Sequence, residues 1–197
     1  MGLLILIVGL ILFLGAHGFV TLREPRAAAI ARLGEGGYKG LFSLVSLAGI
    51  VAIGWGFELY RQSGWVDLWY PPDVMRHVAA ALVWPAIVLV LAAYLPGGIR
   101  RLAKHPMLAG VKLWAFAHLL ANGDLGSIVL FGSFLAWGVY ARIAAKRRGA
   151  LAGSNPTVGL GPAWANDTIA IVAGTVLYFA IGYWFHPAVI GVPAFGR

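Results

Sequence analysis

The chain carries five histidines, seven carboxylates, three methionines and no cysteine. Any bound metal must therefore be held by imidazole, carboxylate, thioether or phenol. Disulfides, thiolate metal sites and cysteine nucleophiles are excluded. His77 and His105 stand at the ends of apolar runs, where water or lipid headgroups solvate them. His17 lies among Gly15, Ala16 and Gly18, small residues that allow close helix packing or leave room for a bulky ligand. His118 is thirteen residues beyond His105, about 20 Å along a helix rising 1.5 Å per residue. Gly110, Trp114, His118 and Asn122 recur every four residues, so they follow one stripe of a helix. On that stripe Gly110 admits a planar group or a second helix, Trp114 offers an aromatic wall, and a neutral His118 could ligate an iron. The same imidazole could instead hydrogen-bond a carbonyl or hydroxyl of a neighbouring helix, and so could His17. His186 sits directly before Pro187 and one turn after Gly182. It reads as a further cofactor contact, or as an interfacial imidazole closing a proline kink near Tyr183.

These histidines need elements to position them, and the composition says which. Of the 197 residues 60% are hydrophobic and 11% charged, with a mean hydropathy of +0.83. Soluble domains carry about a quarter charged residues, so a soluble monomer and a disordered chain are both excluded. About twenty apolar residues cross the hydrocarbon core as a helix. Six stretches have or approach that length: 2–20, 40–59, 74–95, 106–121, 125–145 and 168–189. Backbone hydrogen bonding inside lipid makes them helices. The expected fold is all-α, a polytopic membrane bundle of about six transmembrane helices in a single domain over 1–197.

The net charge of +8 follows the same layout. Arg23, Arg26, Arg32 and Lys39 follow the first span, Arg100, Arg101 and Lys104 the third, and Arg142, Lys146, Arg147 and Arg148 the fifth. The other connections hold Arg61 and Arg76 with Glu58, Asp67, Asp73 and Asp124. This asymmetry marks the three basic connections as cytoplasmic and places both termini on the opposite, periplasmic face. The charge is topology, nucleic acid is not a partner, and the basic connections attract anionic headgroups. The first run lacks a basic leader and is long for a signal peptide, so it reads as a retained span. Trp65, Trp69, Tyr70 and Trp164 suit an interfacial belt. Glu58 is placed to pair with Arg61 at i,i+3, and Lys112 to snorkel along its stem. The Gly/Pro-rich segment 153–162 reads as the longest inner loop.

Several chemistries drop out. No pair of carboxylates lies in mid-span, and no phosphate-binding or dinucleotide fingerprint is present. His105-Pro106 followed by Gly110 resembles a motif of membrane methyltransferases. Those enzymes use a later pair of glutamates, and no Glu follows Glu58 here.

Around the fourth span the chain reads Lys104-His105-Pro106-Met107-Leu108-Ala109-Gly110, then Leu113-Trp114-Ala115-Phe116-Ala117-His118-Leu119-Leu120-Ala121-Asn122-Gly123-Asp124. With Gly15-Ala16-His17-Gly18 and Phe185-His186-Pro187, this resembles the NnrU family of bacterial inner-membrane proteins, related to the zeta-carotene isomerase of plants and cyanobacteria. The resemblance implies a haem b, with His118 and His17 as its ligands. It also implies a link to nitrite and nitric-oxide metabolism in denitrifying bacteria, or, as in the isomerase, redox-dependent isomerisation of a polyene lipid. A non-enzymatic assembly role is a third reading. Partners would be the bilayer and a lipidic substrate or redox partner. The isomerase has a cysteine three residues before its span-four histidine, and here that position is Ala115. Depth bears on the ligand pair. His17 lies about 6 Å from the inner boundary and His118 about 18 Å in, so sharing one iron needs a longer first helix or a steep crossing.

Overall fold

In lipid every backbone N–H and C=O must find its partner within the chain, and the apolar runs do so as helices. The computed structural model describes residues 1–147 and 161–195. The elements are α1 (Gly2–Phe19), α2 (Arg23–Gln62), α3 (Val74–Ala92), α4 (Gly98–Ala103), α5 (Pro106–Ala121), α6 (Leu125–Arg147) and α7 (Ala163–Ala180), the last continued by a π-helix over Ile181–Ile190. Five helices are long and apolar enough to cross a membrane, and the sixteen-residue α5 is a shorter apolar one. The chain is thus a multi-pass, all-α membrane protein. Residues 153–160 of the expected inner loop, and Arg148, lie outside the described residues.

The structure revises several boundaries. The basic segment after the first span is helical, because α2 begins at Arg23 and runs for 40 residues, with a break at Gly34 (φ 71°, ψ 164°). Ala27, Ala28, Ala29 and Ala31 are strong helix formers, and Pro25 falls in the first turn, where its missing N–H costs nothing. A left-handed φ is what glycine supplies at the break. The connection after the third span contains the short α4. The last span starts five residues earlier than expected, at Ala163, which places Trp164 in its first turn.

The described residues fall into two compact units. The first comprises Met1–Trp69 with Gly123–Trp137, and the second Tyr70–Asn122 with Gly138–Arg197. Helix α6 contributes its first half to one and its second half to the other.

In the first unit α1 and α2 pack antiparallel with their backbones in contact. The contacts pair Gly2 with Tyr60, Gly56 with Leu6, Gly9 with Ile53 and Gly49 with Phe13, so each step along α1 is a step back along α2. A Cβ on Gly9 would lie 2.6 Å from the Ile53 nitrogen, and one on Gly49 2.7 Å from the Phe13 nitrogen. Lipid gives helices little hydrophobic reason to associate, so close approach over small residues must supply the packing. At the C-terminal end of α2 the Tyr60 ring lies on Gly126, and its hydroxyl accepts from Val66 N–H at 3.0 Å. Residues 66–68 then run beside 123–125. Leu125 N–H donates to Val66 (2.8 Å) and Leu68 N–H to Gly123 (2.9 Å). Asp124, expected as an outer aqueous charge, is buried and caps α6 by accepting from Ser127 N–H at 2.9 Å. Such a cap satisfies one of the orphan donors of a helix N-terminus. Glu58 accepts a hydrogen bond from Gln62, while Arg61 lies over the Trp65 ring at 5.9 Å.

The second unit is built on α3. Gly110 of α5 meets the Ala86 carbonyl and Val90 of α3, and Gly174 of α7 meets Val88. Trp84 donates to Thr175 Oγ1 at 2.9 Å, and Tyr178 donates to the Ala80 carbonyl at 3.0 Å. That carbonyl neighbours the one left without its helical donor by Pro85. Asp167 accepts from the N–H groups of Gly98 (2.8 Å) and Ile99 (3.1 Å) and so fixes the start of α4. Asn166, only 1% exposed, ties the Pro96 and Gly161 carbonyls together. The stem of Lys112 covers Gly138. The outward faces, with Leu44, Leu47, Val51, Val172 and Val176 exposed, suit lipid contact.

Candidate functional site

The second unit brings His118 and His186 together. Helix α5 carries His118 in its last turn, where Nδ1 is 2.8 Å from the Trp114 carbonyl. A carbonyl only accepts, so Nδ1 carries the proton and the Nε2 lone pair is the basic one. A metal-ligating histidine commonly donates its other N–H to a carbonyl in this way, which fixes the tautomer and raises the basicity of the ring. The Trp114 ring packs 5.1 Å from that of His118. Asn122 has left the helix (φ −129°, ψ 126°) and donates to the His118 carbonyl at 2.8 Å. It therefore finishes α5 as a C-cap rather than extending the stripe. Gly110 is also explained within the fold, since α3 fills the space its missing side chain leaves.

His186 comes from the π-helix. Pro187 has no N–H and would clash in continuous α geometry. Instead of a single kink freeing a carbonyl near Tyr183, the whole segment Ile181–Ile190 widens to π geometry and turns at Gly191 (φ 74°). Such segments concentrate at functional sites. The chain then folds back so that Phe195 lies on Gly182 and contacts Tyr178 and Tyr183, each at 5.0 Å. The His118 and His186 ring centres are 6.4 Å apart, with 28° between the planes. His186 Nδ1 is buried and makes no hydrogen bond.

A single metal ion between two imidazoles, bonded at about 2 Å to each, separates the ring centres by roughly 6 Å. The spacing, the clamped tautomer of His118 and the unsatisfied nitrogen of His186 are those of two imidazoles that could hold one metal centre. Among the described residues no group of three or more His, Cys, Asp or Glu side chains could hold an ion. Two imidazoles would be enough to hold a haem.

His17 lies in the first unit. Its Nδ1 is 2.7 Å from the Phe13 carbonyl, the same clamp four residues back that His118 uses. Around it stand Phe13 (4.3 Å between ring centres), Phe42 (5.1 Å) and Trp137 (5.9 Å, edge-on). Trp137, Phe42, Ser46 and Tyr38 were not among the residues singled out by type and spacing. The signal was the four-residue repeat of Tyr38, Phe42 and Ser46 on one α2 stripe. His77 stands in the first turn of α3, and His105 is the N-cap residue of α5.

The family model described as NnrU protein matches residues 5–194 of the chain. No curated protein and no solved structure matches it.

Proposed function

The chain belongs to the NnrU family, and from that membership and the geometry of its second unit we propose that it is a haem b-binding membrane protein linked to nitrite and nitric-oxide metabolism. The observation that carries this reading is the 6.4 Å separation of the His118 and His186 rings. Those two imidazoles would hold the haem. A haem with two histidine ligands supplies one-electron transfer. The Trp114 carbonyl keeps the His118 proton on Nδ1 and orients the ring. The Asn122 amide anchors the end of α5, and the Trp114 ring packs against the imidazole. Ala115 stands where the related isomerase has its cysteine and is fully buried. The chain has no thiol to exchange as a ligand, which favours electron transfer over isomerisation.

The test is the absorption spectrum of the full chain, purified in detergent from haem-replete cells and recorded oxidised and reduced. The wild type is expected to show the bands of a haem with two imidazole ligands. His118→Ala and His186→Ala each lose them, and His17→Ala keeps them. Wild-type protein without haem refutes the reading. Loss with His17→Ala but not with His186→Ala moves the second ligand to His17, as the family resemblance implies.

A further inference from the structure

The first unit holds a concentration of unsatisfied polarity that the haem reading does not use. Trp137 Nε1, Ser46 Oγ and Tyr38 Oη are all buried and make no hydrogen bond. Tyr38 as a residue is 9% exposed. Trp137 stands beside His17, and Ser46 and Tyr38 lie one turn to either side of Phe42, which also stands beside it. The Trp137 ring meets the imidazole edge-on at 5.9 Å, and the Phe42 ring lies 5.1 Å from it. The α1–α2 register places Ser46 opposite Ala16. Buried polar groups are almost always satisfied, and in a hydrocarbon setting each unmet one costs several kcal/mol. Three such groups, one beside His17 and two on the α2 stripe that Phe42 shares, point to a partner that supplies their hydrogen bonds.

The chemistry of the set describes that partner. The indole N–H only donates, and two hydroxyls can donate. With its Nδ1–H on the Phe13 carbonyl, His17 offers an acceptor at Nε2. The group therefore wants carbonyl oxygens to donate to, and it accepts one hydroxyl. Arg26 lies over the Tyr38 ring at 5.9 Å, and the nearby exposed Glu35 is held in an ion pair by Lys39 at 2.7 Å. The walls are Phe13, Phe42, Trp137 and Phe134, the last 5.8 Å from Phe13, which suits a flat ring. The packing also changes here. The glycine contacts of α1 with α2 hold the helices together as far as Phe13 and Gly49, while Gly15, Gly18 and Gly40 have no atom within 4 Å of a built Cβ. Phe19 and Leu41 on the flanks are exposed, so the approach is from the lipid side.

We propose that the His17 cluster binds the head group of a membrane quinone. Trp137 N–H and the Ser46 and Tyr38 hydroxyls donate to the quinone carbonyls, and His17 Nε2 accepts from a hydroxyl of the quinol form. The site is independent of the haem reading, because it uses only first-unit residues and needs no metal.

The experiment titrates decylubiquinone into the full chain in lipid nanodiscs and follows binding by calorimetry, with melting temperature as the check on folding. The wild type is expected to bind one quinone per chain saturably. Trp137→Phe, which keeps a ring but loses the N–H, and Ser46→Ala each weaken binding about fivefold to tenfold, the loss of one hydrogen bond. The double variant abolishes it, while all three keep the wild-type melting temperature. Absence of saturable binding to wild type overturns the proposal, as does equal binding by the folded double variant. A His17→Ala protein that loses a haem spectrum, when wild type binds no quinone, assigns the cluster to the haem instead. Quinone binding by a protein that carries no haem leaves this site standing and refutes only the haem reading.

Discussion

Gly9 offers a measurement of what holds α1 to α2. A Cβ added there meets only backbone: the Ile53 nitrogen at 2.6 Å, and the Ala52 carbon and Gly49 oxygen at 2.9 Å. Ordinary van der Waals contact begins at 3.4 Å, so Gly9→Ala must part the helices locally by about 0.8 Å, and no side chain can rotate away to spare them. Overpacking of this kind costs about 1–3 kcal/mol. The same substitution gains about 1 kcal/mol of helix propensity, which would mask part of the loss. Gly15→Ala removes that ambiguity. It lies on the same helix and gains the same propensity, and nothing lies within 4 Å of its built Cβ. The difference between the two variants is then the overpacking cost alone. At about 2–4 °C per kcal/mol for a chain of this size, Gly9→Ala should melt roughly 2–12 °C below Gly15→Ala. The comparison repeats on α2 with Gly56→Ala, which meets the Leu6 backbone, against Gly54→Ala, which meets nothing. Thermal unfolding in one detergent, followed by circular dichroism, is the assay. Equal melting temperatures within both pairs would refute the claim that bare backbone contact holds the two helices together.

Three further outcomes follow from named bonds. Asp167→Ala removes the acceptor for the Gly98 and Ile99 amides. It should destabilise the chain by about 1–3 kcal/mol and abolish hydrogen-exchange protection at those two amides, and retained protection would contradict the capping role. Asp124→Ala should cost about 1–2 kcal/mol as a lost N-cap, with Asp124→Asn recovering most of it in the same melting assay. Trp84→Phe loses the hydrogen bond to Thr175 and should cost about 1 kcal/mol, whereas Trp164→Phe, on a 72% exposed residue, should melt like wild type.

Much of this fold is legible from apolar run length, because lipid enforces internal hydrogen bonding on any long apolar segment. What run length does not register is structure outside lipid. Arg23, Arg26 and Arg32 look alike in a loop and in a solvated helix, so the first seventeen residues of α2 read as a connection. The alanines among them carried the helix signal. Asp167 was unreadable for another reason: its partners, Gly98 and Ile99, are almost seventy residues away, and no local pattern announces a long-range cap. Gly2 and Gly9 on α1, and Gly49 and Gly56 on α2, are spaced by seven on both helices. That repeat predicts a continuous close contact, and it becomes visible once glycines are compared between spans rather than within one. At Gly110 the residue type was informative and its partner was not, since a gap for a flat ligand and a gap for a helix look the same until α3 fills it.

The two clamped histidines show why spacing alone could not separate ligand from packing. His17 and His118 each donate Nδ1–H to the carbonyl four residues back. A helix deprived of water offers its own carbonyl as the nearest acceptor, so any buried helical imidazole can adopt this clamp whether or not it later binds a metal. The clamp fixes which nitrogen is basic and says nothing about what that nitrogen meets. The neighbours decide that. Beside His118 stands a second imidazole whose Nδ1 is buried and makes no hydrogen bond, and a pair of imidazoles is a donor set that suits a Lewis acid. Beside His17 stands an indole N–H, with two hydroxyls lacking partners on the α2 stripe of Phe42, an arrangement with protons to give, which a metal cannot satisfy and a carbonyl can. The same residue in the same local geometry therefore points to opposite chemistry in the two units, and paired substitutions at Trp137 and His186 should separate the two: the first lowering quinone affinity without touching the haem spectrum, the second doing the reverse.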